Sequence, residues 1–587
     1  IGTAANAHAD DAAPESQEGA PQVSVAANTD PRYAEAARLA EAGRWREAEA
    51  KYQAILAGAP SSQAFNDLGV LHARKGDRTK ALALFERALS VSPAYPRAYF
   101  NRALIRSAEG RQAEAIADYT AFIKQTPHHF RAHYNLGLAY LKLRQFADAA
   151  RTLQTATGLA GGERKARAYY ALGLAQRGLG AKDKAKAAFN AAIRLAPTYL
   201  EPRFGLASLE DDTPAGRERA LAQYEKVFAL KADYPPAYFN IALLYAADGR
   251  AAAAEEAYRK ALQHDPGYIK ARYNLGLLLL AGKRYADARQ EFERIVRNEP
   301  RHAESHFNLA RAAYGQKDYA TAVSEYRLAI EQRGGRYPEA YLNIGLTHVA
   351  LKQYGDAEAS YRKALQLKED YPEAWYNLGL AQMRQGHREQ AIQSFRTAIK
   401  HDARYAQAWF NLAVLYGREG RDNEAIEAYR QALAARPDYP HARLNLAVRY
   451  ARQSKYADAI REYRALLDKD DTYASAWLNL GMAYQETQEL AQAERAFRRV
   501  LTLEPDSVRA MKRLAAVLAA QREYDAAIDV LNRAVTADAA DARLRLQLAR
   551  TLRDAGNMAA ARVQYEKALR LEPSNGKARQ EFAALPN

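Results

Sequence analysis

The stretch Ala374-Trp375-Tyr376-Asn377-Leu378-Gly379 decides the fold, because close copies of it return at a fixed interval. Copies begin at Ala408 and Ala476, and the step from Ala374 to Ala408 is 34 residues. A period of this length is typical of repeat architectures, in which each copy is one supersecondary unit that stacks on its neighbours. We therefore expect one array, although 587 residues would ordinarily form several domains.

Three further positions recur in each copy when Trp375 is numbered fourth. Position 20 is usually alanine, as in Ala391, position 24 is aromatic, as in Phe395, and position 32 is often proline, as in Pro437. Small residues at positions 8 and 20 predict two closely packed helices, an aromatic at 24 predicts filling between one repeat and the next, and proline ends the second helix. A composition dominated by good helix formers agrees with this pattern.

These motifs resemble the tetratricopeptide repeat (TPR) family in about sixteen copies between Pro31 and Pro573. The resemblance implies an all-α, right-handed superhelical α-solenoid of helix-turn-helix repeats, with a concave groove lined by the first helix of each pair. We expect the array over residues 31–573 and a C-terminal capping helix over 574–587, since a terminal repeat otherwise exposes its apolar face. An extra polar stretch in the sixth copy, around 204–228, predicts a local loop.

The first 30 residues differ from the rest in composition and have no helical period, which predicts disorder. Ala5-Asn6-Ala7 and Ala7-His8-Ala9 are typical of the small-x-small end of a secretory signal peptide, so residues 1–30 are interpreted as carrying its remnant. This favours a periplasmic or secreted protein, and a cytoplasmic chain with a trimmed tail is the alternative. The chain has no cysteine, and its apolar runs are much shorter than a membrane span.

Position 6 is asparagine in ten copies, which form a predicted asparagine ladder. An amide carries donors and an acceptor, so a row of amides one repeat apart can pair with the backbone of an extended peptide. The ladder resembles that of the repeat domain of the O-linked N-acetylglucosamine transferases, where such asparagines hold the substrate backbone. The alternative is that local hydrogen bonding favours asparagine here. The predicted peptide-binding residues are Asn101, Asn135, Asn240, Asn274, Asn308, Asn343, Asn377, Asn411, Asn445 and Asn479.

Charged positions flank the ladder on the same helices. Position 2 is basic early, at Arg97 and Arg131, and acidic later, at Glu304, Glu339 and Glu373, while position 13 is basic at Arg384, Arg418 and Arg452. If these residues face the groove, its ends prefer differently charged ligand segments; solvated helix ends are the alternative.

Some members of the family hold a C-terminal carboxylate with five polar residues from three successive repeats. Asn479, Arg509 and Arg513 match the last three of these positions. Leu444 and Val448 occupy the first two, so the predicted clamp is incomplete.

No catalytic constellation, phosphate loop or metal-ligand pattern is found, and we expect no cofactor, metal or small-molecule substrate. His128, His129 and His133 are interpreted as solvent-facing histidines rather than a metal site. A net charge of +16 is the one feature that favours nucleic acid, and there is no periodic base-reading code.

The leading hypothesis is a non-catalytic scaffold that binds other proteins through extended peptide segments and organises a bacterial envelope assembly. The alternatives are the substrate-recognition part of a glycosyltransferase system and an RNA-binding array.

Overall fold

A computed structural model describes residues 31–210 and 213–586, and these residues contain thirty-three α-helices and no strand. Thirty-two helices pair into sixteen antiparallel hairpins, followed by one short helix. The all-α solenoid class and the repeat number are therefore confirmed. The predicted disorder and signal-peptide remnant over residues 1–30 lie outside the described residues.

The hairpins group into two compact units, and the division falls between Asn298 and Glu299. The repeat pattern continues through this point without a change, so the sequence did not predict the division. Unit 1 contains α1 (Pro31–Glu41), α2 (Trp45–Gly58), α3 (Ser62–Arg74), α4 (Arg78–Val91), α5 (Pro96–Ala108), α6 (Gln112–Gln125), α7 (Phe130–Lys142), α8 (Phe146–Gly158), α9 (Gly162–Gly178), α10 (Lys182–Leu195), α11 (Glu201–Ala207), α12 (Pro214–Leu230), α13 (Pro235–Ala247), α14 (Ala251–His264), α15 (Ile269–Ala281) and α16 (Tyr285–Asn298). Unit 2 contains α17 (Ala303–Gly315), α18 (Tyr319–Gln332), α19 (Pro338–Ala350), α20 (Tyr354–Leu367), α21 (Pro372–Gln385), α22 (Arg388–His401), α23 (Ala406–Arg418), α24 (Asp422–Ala435), α25 (Pro440–Arg452), α26 (Tyr456–Leu467), α27 (Ala474–Glu486), α28 (Leu490–Leu503), α29 (Val508–Ala520), α30 (Tyr524–Ala537), α31 (Ala542–Asp554), α32 (Met558–Leu571) and α33 (Gly576–Ala583).

The two helices of a hairpin pack closely through positions 8 and 24, as the hairpins with glycine at position 8 show. A Cβ added to Gly379 would lie 2.7 Å from the ring of Phe395, which is fully buried. The aromatic at position 24 therefore fills its own repeat, whereas the sequence had predicted that it fills the space between repeats. Phe189 does both, because its ring lies 2.4 Å from a Cβ added to Gly173 and 2.6 Å from one added to Gly205 of the next repeat.

Among the described residues, the turn inside fifteen of the hairpins, all but the irregular sixth, places a left-handed residue at position 15. This residue is often glycine, as in Gly386 with φ 84° and Gly420 with φ 75°. Glycine takes this conformation without steric cost, and other residues do not. Seven repeats nevertheless place a side chain there, namely Arg144, Lys283, Lys317, Lys352, Ser454, Gln488 and Arg522.

Position 4 carries a donor that fixes the loop before the first helix. The indole N–H of Trp375 donates to the carbonyl of Glu369 at 3.0 Å, six residues earlier in the chain. Other donors make the same six-residue contact to the corresponding carbonyl, from Tyr238, Arg272, His306, Trp409, Arg443, Trp477, Arg545 and Arg579, and His133 has a ring nitrogen in the same place. The residue type varies because the repeat requires a donor of sufficient reach rather than a particular ring.

The sixth hairpin is irregular, as the sequence predicted. Helix α11 has 7 residues and ends at Ala207, while its partner α12 begins at Pro214 after a cap by Thr213. The first helix of this repeat is thus shortened where the extra polar residues occur.

The short helix α33 covers the end of the last hairpin within the segment predicted to be a cap. Ala578 is fully buried, and Glu581 accepts hydrogen bonds from Arg550 at 2.8 Å and from the Tyr565 hydroxyl at 3.1 Å. None of the described helices combines the length and the apolar character that crossing a membrane requires.

Candidate functional site

Four positions of each first helix lie on one face, because positions 2, 6, 9 and 13 follow each other at intervals of three or four residues. In α21 they are Glu373, Asn377, Leu380 and Arg384. We call this set, taken over α19, α21, α23, α25 and α27, the first-helix stripe. Its other members are Glu339, Asn343, Leu346 and Ala350; Gln407, Asn411, Val414 and Arg418; His441, Asn445, Val448 and Arg452; and Ser475, Asn479, Met482 and Glu486.

The asparagines of the first-helix stripe are partly exposed and locally held. The Nδ2 of Asn377 donates to the carbonyl of Glu373 at 2.8 Å, and Asn343 and Asn411 make the same contact one turn back at 2.7 and 3.0 Å. Local hydrogen bonding therefore does favour asparagine at this position. Asn411 also donates to the hydroxyl of Tyr376 in the preceding repeat at 3.2 Å. Because each carboxamide has two N–H groups and an acceptor oxygen, the local bond leaves the acceptor oxygen available and, at Asn343 and Asn377, one N–H group as well.

The early asparagines of the predicted ladder are buried instead. Asn101, Asn135 and Asn240 are 2%, 1% and 2% exposed, and Asn308 is 4% exposed. Their placement on an accessible peptide-binding surface, as the sequence predicted, is therefore wrong for these four. Asn274 is partly exposed and donates to the carbonyl of Lys270 at 2.9 Å.

For Asn101 the physical reason is that a neighbouring first helix covers it. Helix α3 contacts α5, and the Nδ2 of Asn101 donates to Oδ1 of the buried Asn66 at 3.0 Å. Position 9 is covered there too, since Leu104 and Leu138 are buried. At Asn308 the cover is a side chain of the same helix, because Arg311 donates to its Oδ1 at 2.9 Å.

An apolar row accompanies the exposed amides. Position 9 of the first-helix stripe is Leu346, Leu380, Val414, Val448 and Met482, all partly exposed. Each of these side chains lies three residues after an asparagine, on the same face of the helix. The stripe thus offers amides and apolar side chains next to each other.

Arg384, Arg418 and Arg452 are exposed at the C-terminal ends of α21, α23 and α25. Other arginines of α25 are paired, since Arg449 lies 3.0 Å from Asp422 and Arg443 lies 2.7 Å from Glu462. Within the described ranges, none of the three stripe arginines has such an ion pair. Their position also suits the negative end of the helix dipole, so the solvated-end interpretation stays open.

The early predicted groove charges lie in a different setting. Arg97 is exposed in the first turn of α5, and the guanidinium of Arg131 lies 5.5 Å from the centre of the Phe100 ring. Arg131 is thus packed against the covered early face.

The residues of the incomplete carboxylate clamp approach α27. The Nη2 of Arg509 lies 3.8 Å from the sulfur of Met482, and Nη1 of Arg513 lies 3.5 Å from Oε1 of Gln485. Leu444 and Val448 are partly exposed apolar residues. The structure therefore supplies no polar group at the two positions that the clamp lacks.

Two of the histidines that the sequence analysis considered solvent-facing are partly exposed and also make structural contacts. His129 accepts from the backbone N–H of Ala132 at 3.2 Å and caps α7, and burial lowers its pKa. A ring nitrogen of His133 lies 2.8 Å from the carbonyl of Pro127. In the part of the chain that the structure describes, no group of three or more histidine, aspartate or glutamate residues is arranged to hold a metal ion.

Comparison with known families identifies the class. The tetratricopeptide repeat matches residues 33–99, 66–130, 100–143, 134–199, 273–341, 376–440, 444–491 and 478–542, and related descriptions of the same repeat match 235–268, 345–386 and 542–575. These matches cover most of the chain. The chain belongs to the tetratricopeptide repeat family, and this family supports a protein-interaction scaffold.

The curated relatives match over short segments. A TPR repeat-containing thioredoxin of Arabidopsis thaliana, TTL4, is 40% identical over 80 residues, which are 14% of this chain and 12% of that protein. The photosystem I assembly protein Ycf3 of Cyanophora paradoxa is 37% identical over 70 residues, which are 10% of this chain and 40% of that protein. The chain therefore spans less than half the length of either relative.

Two solved structures resemble the chain weakly. The APC/C hetero-tetramer Cut9–Hcn1 is 16% identical, covers 91% of this chain and 97% of its own, and has a TM-score of 0.35. PilF of Pseudomonas aeruginosa is 26% identical, covers 36% of this chain and 96% of its own, and has a TM-score of 0.30. Neither likeness is close enough to carry a function to this chain.

Proposed function

We propose that the protein is a non-catalytic scaffold that binds extended peptide segments of other proteins along the first-helix stripe of unit 2. The observation that carries the proposal is the pairing of partly exposed asparagines with a partly exposed apolar row on five successive first helices, α19, α21, α23, α25 and α27. Amides recognise the peptide backbone irrespective of sequence, and apolar side chains bury the alternate side chains of the ligand.

The proposal assigns peptide binding to five of the ten asparagines of the predicted ladder. Peptide contact is assigned to Asn343, Asn377, Asn411, Asn445 and Asn479, and the buried amides such as Asn101 are assigned to packing. A peptide that lies across the stripe meets the acceptor oxygen of each amide and, at Asn343 and Asn377, an N–H group beyond the local bond, whereas Nδ2 of Asn411 already donates to two acceptors. Its own N–H and C=O groups lose water on binding, and paired amides offset that cost.

The test replaces Asn343, Asn377 and Asn411 together by alanine and measures binding to an array of immobilised synthetic peptides, followed by capture from separated periplasmic and cytoplasmic extracts. We expect the triple variant to lose most of the captured partners, because each lost backbone contact weakens binding several-fold. Helicity and melting should change little, since the three amides are not fully buried.

The matched control replaces Asn190, Asn298 and Asn532, which lie on the second helices α10, α16 and α30. This variant removes the same number of amides away from the stripe and should bind as the wild type does. Equal binding by both triple variants and the wild type would move the interface away from the stripe and end the proposal.

The place of the scaffold in the cell is also proposed. We assign it to the periplasm or the outside of the cell, in a bacterial envelope assembly, on the small-x-small triplets before Asp10. One alternative is a cytoplasmic location. Another is that the protein is the substrate-recognition part of a glycosyltransferase system, because the asparagine row resembles the one in the repeat domain of the O-linked N-acetylglucosamine transferases. Fractionation of the source cell distinguishes the compartments, and a glycosyltransferase among the partners captured through the stripe would favour the second system.

A further inference from the structure

We infer that the first-helix stripe selects acidic peptides that carry an acidic side chain at about every third residue. The inference rests on the proposed function and adds to it the chemistry of the partner. Its basis is the row of Arg384, Arg418 and Arg452, one on each of three successive first helices.

The first step is charge complementarity. Each arginine lies seven residues after an asparagine, so the two residues share a face two helical turns apart. The three guanidinium groups are exposed, and in the described parts of the chain none forms an ion pair. The carboxylate nearest in sequence, Glu419, is engaged elsewhere, 3.1 Å from Arg421. The guanidinium groups are therefore available for carboxylates of a ligand.

The second step is polarity across the stripe. The opposite edge is formed by the N-terminal ends of the same helices, which carry Glu373, Gln407 and His441. The one acidic member, Glu373, lies four residues before Asn377, and Arg384 lies seven residues after it. Over α21, α23 and α25 a bound peptide therefore meets the three arginines on the side of the helix C-termini, and acidic side chains are favoured there; the same position is Ala350 in α19 and Glu486 in α27.

The third step is spacing. Helices that pack against each other lie about 8–10 Å apart. The first helices that carry the arginines are joined by side-chain hydrogen bonds, since Nδ2 of Asn411 on α23 donates to the Tyr376 hydroxyl on α21 at 3.2 Å and Nη1 of Arg449 on α25 donates to the Gly417 carbonyl on α23 at 3.1 Å. A chain in polyproline II conformation advances about 3.1 Å per residue and returns each third side chain to the same side. About three residues thus span one repeat, and every third side chain reaches the next arginine.

The experiment uses the full chain and a fluorescent peptide built of four aspartate–leucine–proline triplets. Sister peptides replace the aspartates by asparagine or by lysine, and a further peptide has the same composition with its aspartates in one block. We expect the aspartate triplet peptide to bind most tightly by fluorescence anisotropy. Replacing Arg384, Arg418 and Arg452 together by glutamine should weaken this binding about tenfold, as expected for three exposed ion pairs, and should reduce its salt dependence.

The matched control removes three charges from second helices, by replacing Arg388, Arg495 and Arg533 with glutamine. These residues are exposed on α22, α28 and α30, so net charge changes equally. The control should bind within about twofold of the wild type. Circular dichroism of both variants verifies that they fold.

The outcomes separate this inference from the proposed function. Equal binding of the aspartate and asparagine peptides, or tighter binding of the lysine peptide, overturns the acidic preference. Binding of the blocked peptide as tight as that of the triplet peptide overturns the spacing of three residues. If the asparagine peptide then still loses affinity when Asn343, Asn377 and Asn411 are replaced, the proposed peptide-binding function is retained without a preference for acidic side chains. Displacement of the acidic peptide by single-stranded RNA, with no effect of the asparagine substitutions on its binding, would show a general polyanion surface and overturn both.

Discussion

The early and the later first helices carry the same residue types at the same repeat positions but expose them differently. Asn101 is buried and bonded to Asn66 across one repeat, whereas Asn377 is partly exposed and bonded within its own helix. Position 9 follows the same division, since Leu104 is buried and Leu380 is partly exposed. A repeat position therefore does not determine exposure, because the side chains that surround it differ from one repeat to the next.

The comparison predicts that one substitution lowers the free energy of unfolding far more in the early region than in the later one, and this is the largest expected effect on stability. Asn101→Ala should lower the free energy of unfolding by about 2 kcal/mol, because it leaves Oδ1 of the buried Asn66 without its donor. Asn377→Ala should change it by less than about 0.5 kcal/mol. Urea unfolding followed by circular dichroism, with hydrogen exchange of α3 and α5, measures the difference.

Replacing the buried Asn66 by alanine should cost a similar amount, since it removes the other partner of the same bond. Equal stability of the Asn101 and Asn377 variants would mean that the early amides are as replaceable as the later ones. The division of the ladder into packing and binding members would then be wrong.

A smaller effect on the free energy of unfolding is expected for the contact between position 4 of the first helix and the second helix of the same repeat. In unit 1, Arg272 donates to the carbonyl of Pro266 and to Glu291, both at 2.7 Å. In unit 2, His306 occupies the equivalent position: its Nδ1 lies 2.6 Å from Oε2 of Glu325, and its Nε2 lies 3.0 Å from the carbonyl oxygen of Pro300. Both acceptors require a donor, so the ring carries two N–H groups and a positive charge.

This charge makes the stability of the later repeat dependent on pH. The hydrogen bond to Glu325 raises the pKa of His306 above its ordinary value near 6.5, and burial opposes this shift. A raised folded-state pKa stabilises the protein fully below the unfolded pKa, and the contribution is lost as pH rises through the folded pKa. We expect wild-type stability to fall by about 1.5 kcal/mol above that point, the value of a hydrogen bond to a charged group.

The His306→Arg variant reproduces the arrangement of Arg272, because arginine stays charged over this range. Its urea midpoint should therefore stay level from pH 6 to pH 9, while that of the wild type declines. A wild-type midpoint that is equally level would show that His306 is not the titrating group. Substitution of the exposed His387 should leave the wild-type profile unchanged.

The sequence predicted most of the fold because the determinants of the hairpins are local. Ala391, Phe395 and Pro437 occupy fixed offsets, and small, aromatic and helix-ending residues act within one repeat. The exposure of the ladder could not be predicted in this way. It depends on contacts between residues about 34 apart, and Asn101 and Asn377 have similar neighbours in sequence, Phe100 and Tyr376 among them.

The hydrogen bond from position 4 could have been predicted from the sequence, because the residues at this position share a donor group although they differ in type. Trp375, Tyr238 and Arg272 are unlike in size and charge, but each has an N–H or O–H group far from its Cα. The division between Asn298 and Glu299 could not have been predicted from the sequence, because the repeat motif is unbroken there.

The smallest expected effect concerns the turns of the hairpins, where the two regions also differ. Early hairpins mostly place glycine at position 15, as in Gly110, whereas several later ones hold a side chain in the left-handed region, as in Lys352 with φ 60°. Lys352→Gly should raise the free energy of unfolding by about 0.5 kcal/mol, because relief of the steric cost exceeds the added entropy of the unfolded chain. Gly110→Ala, at φ 79°, should lower it by about 1 kcal/mol. Differential scanning calorimetry of both variants measures the pair.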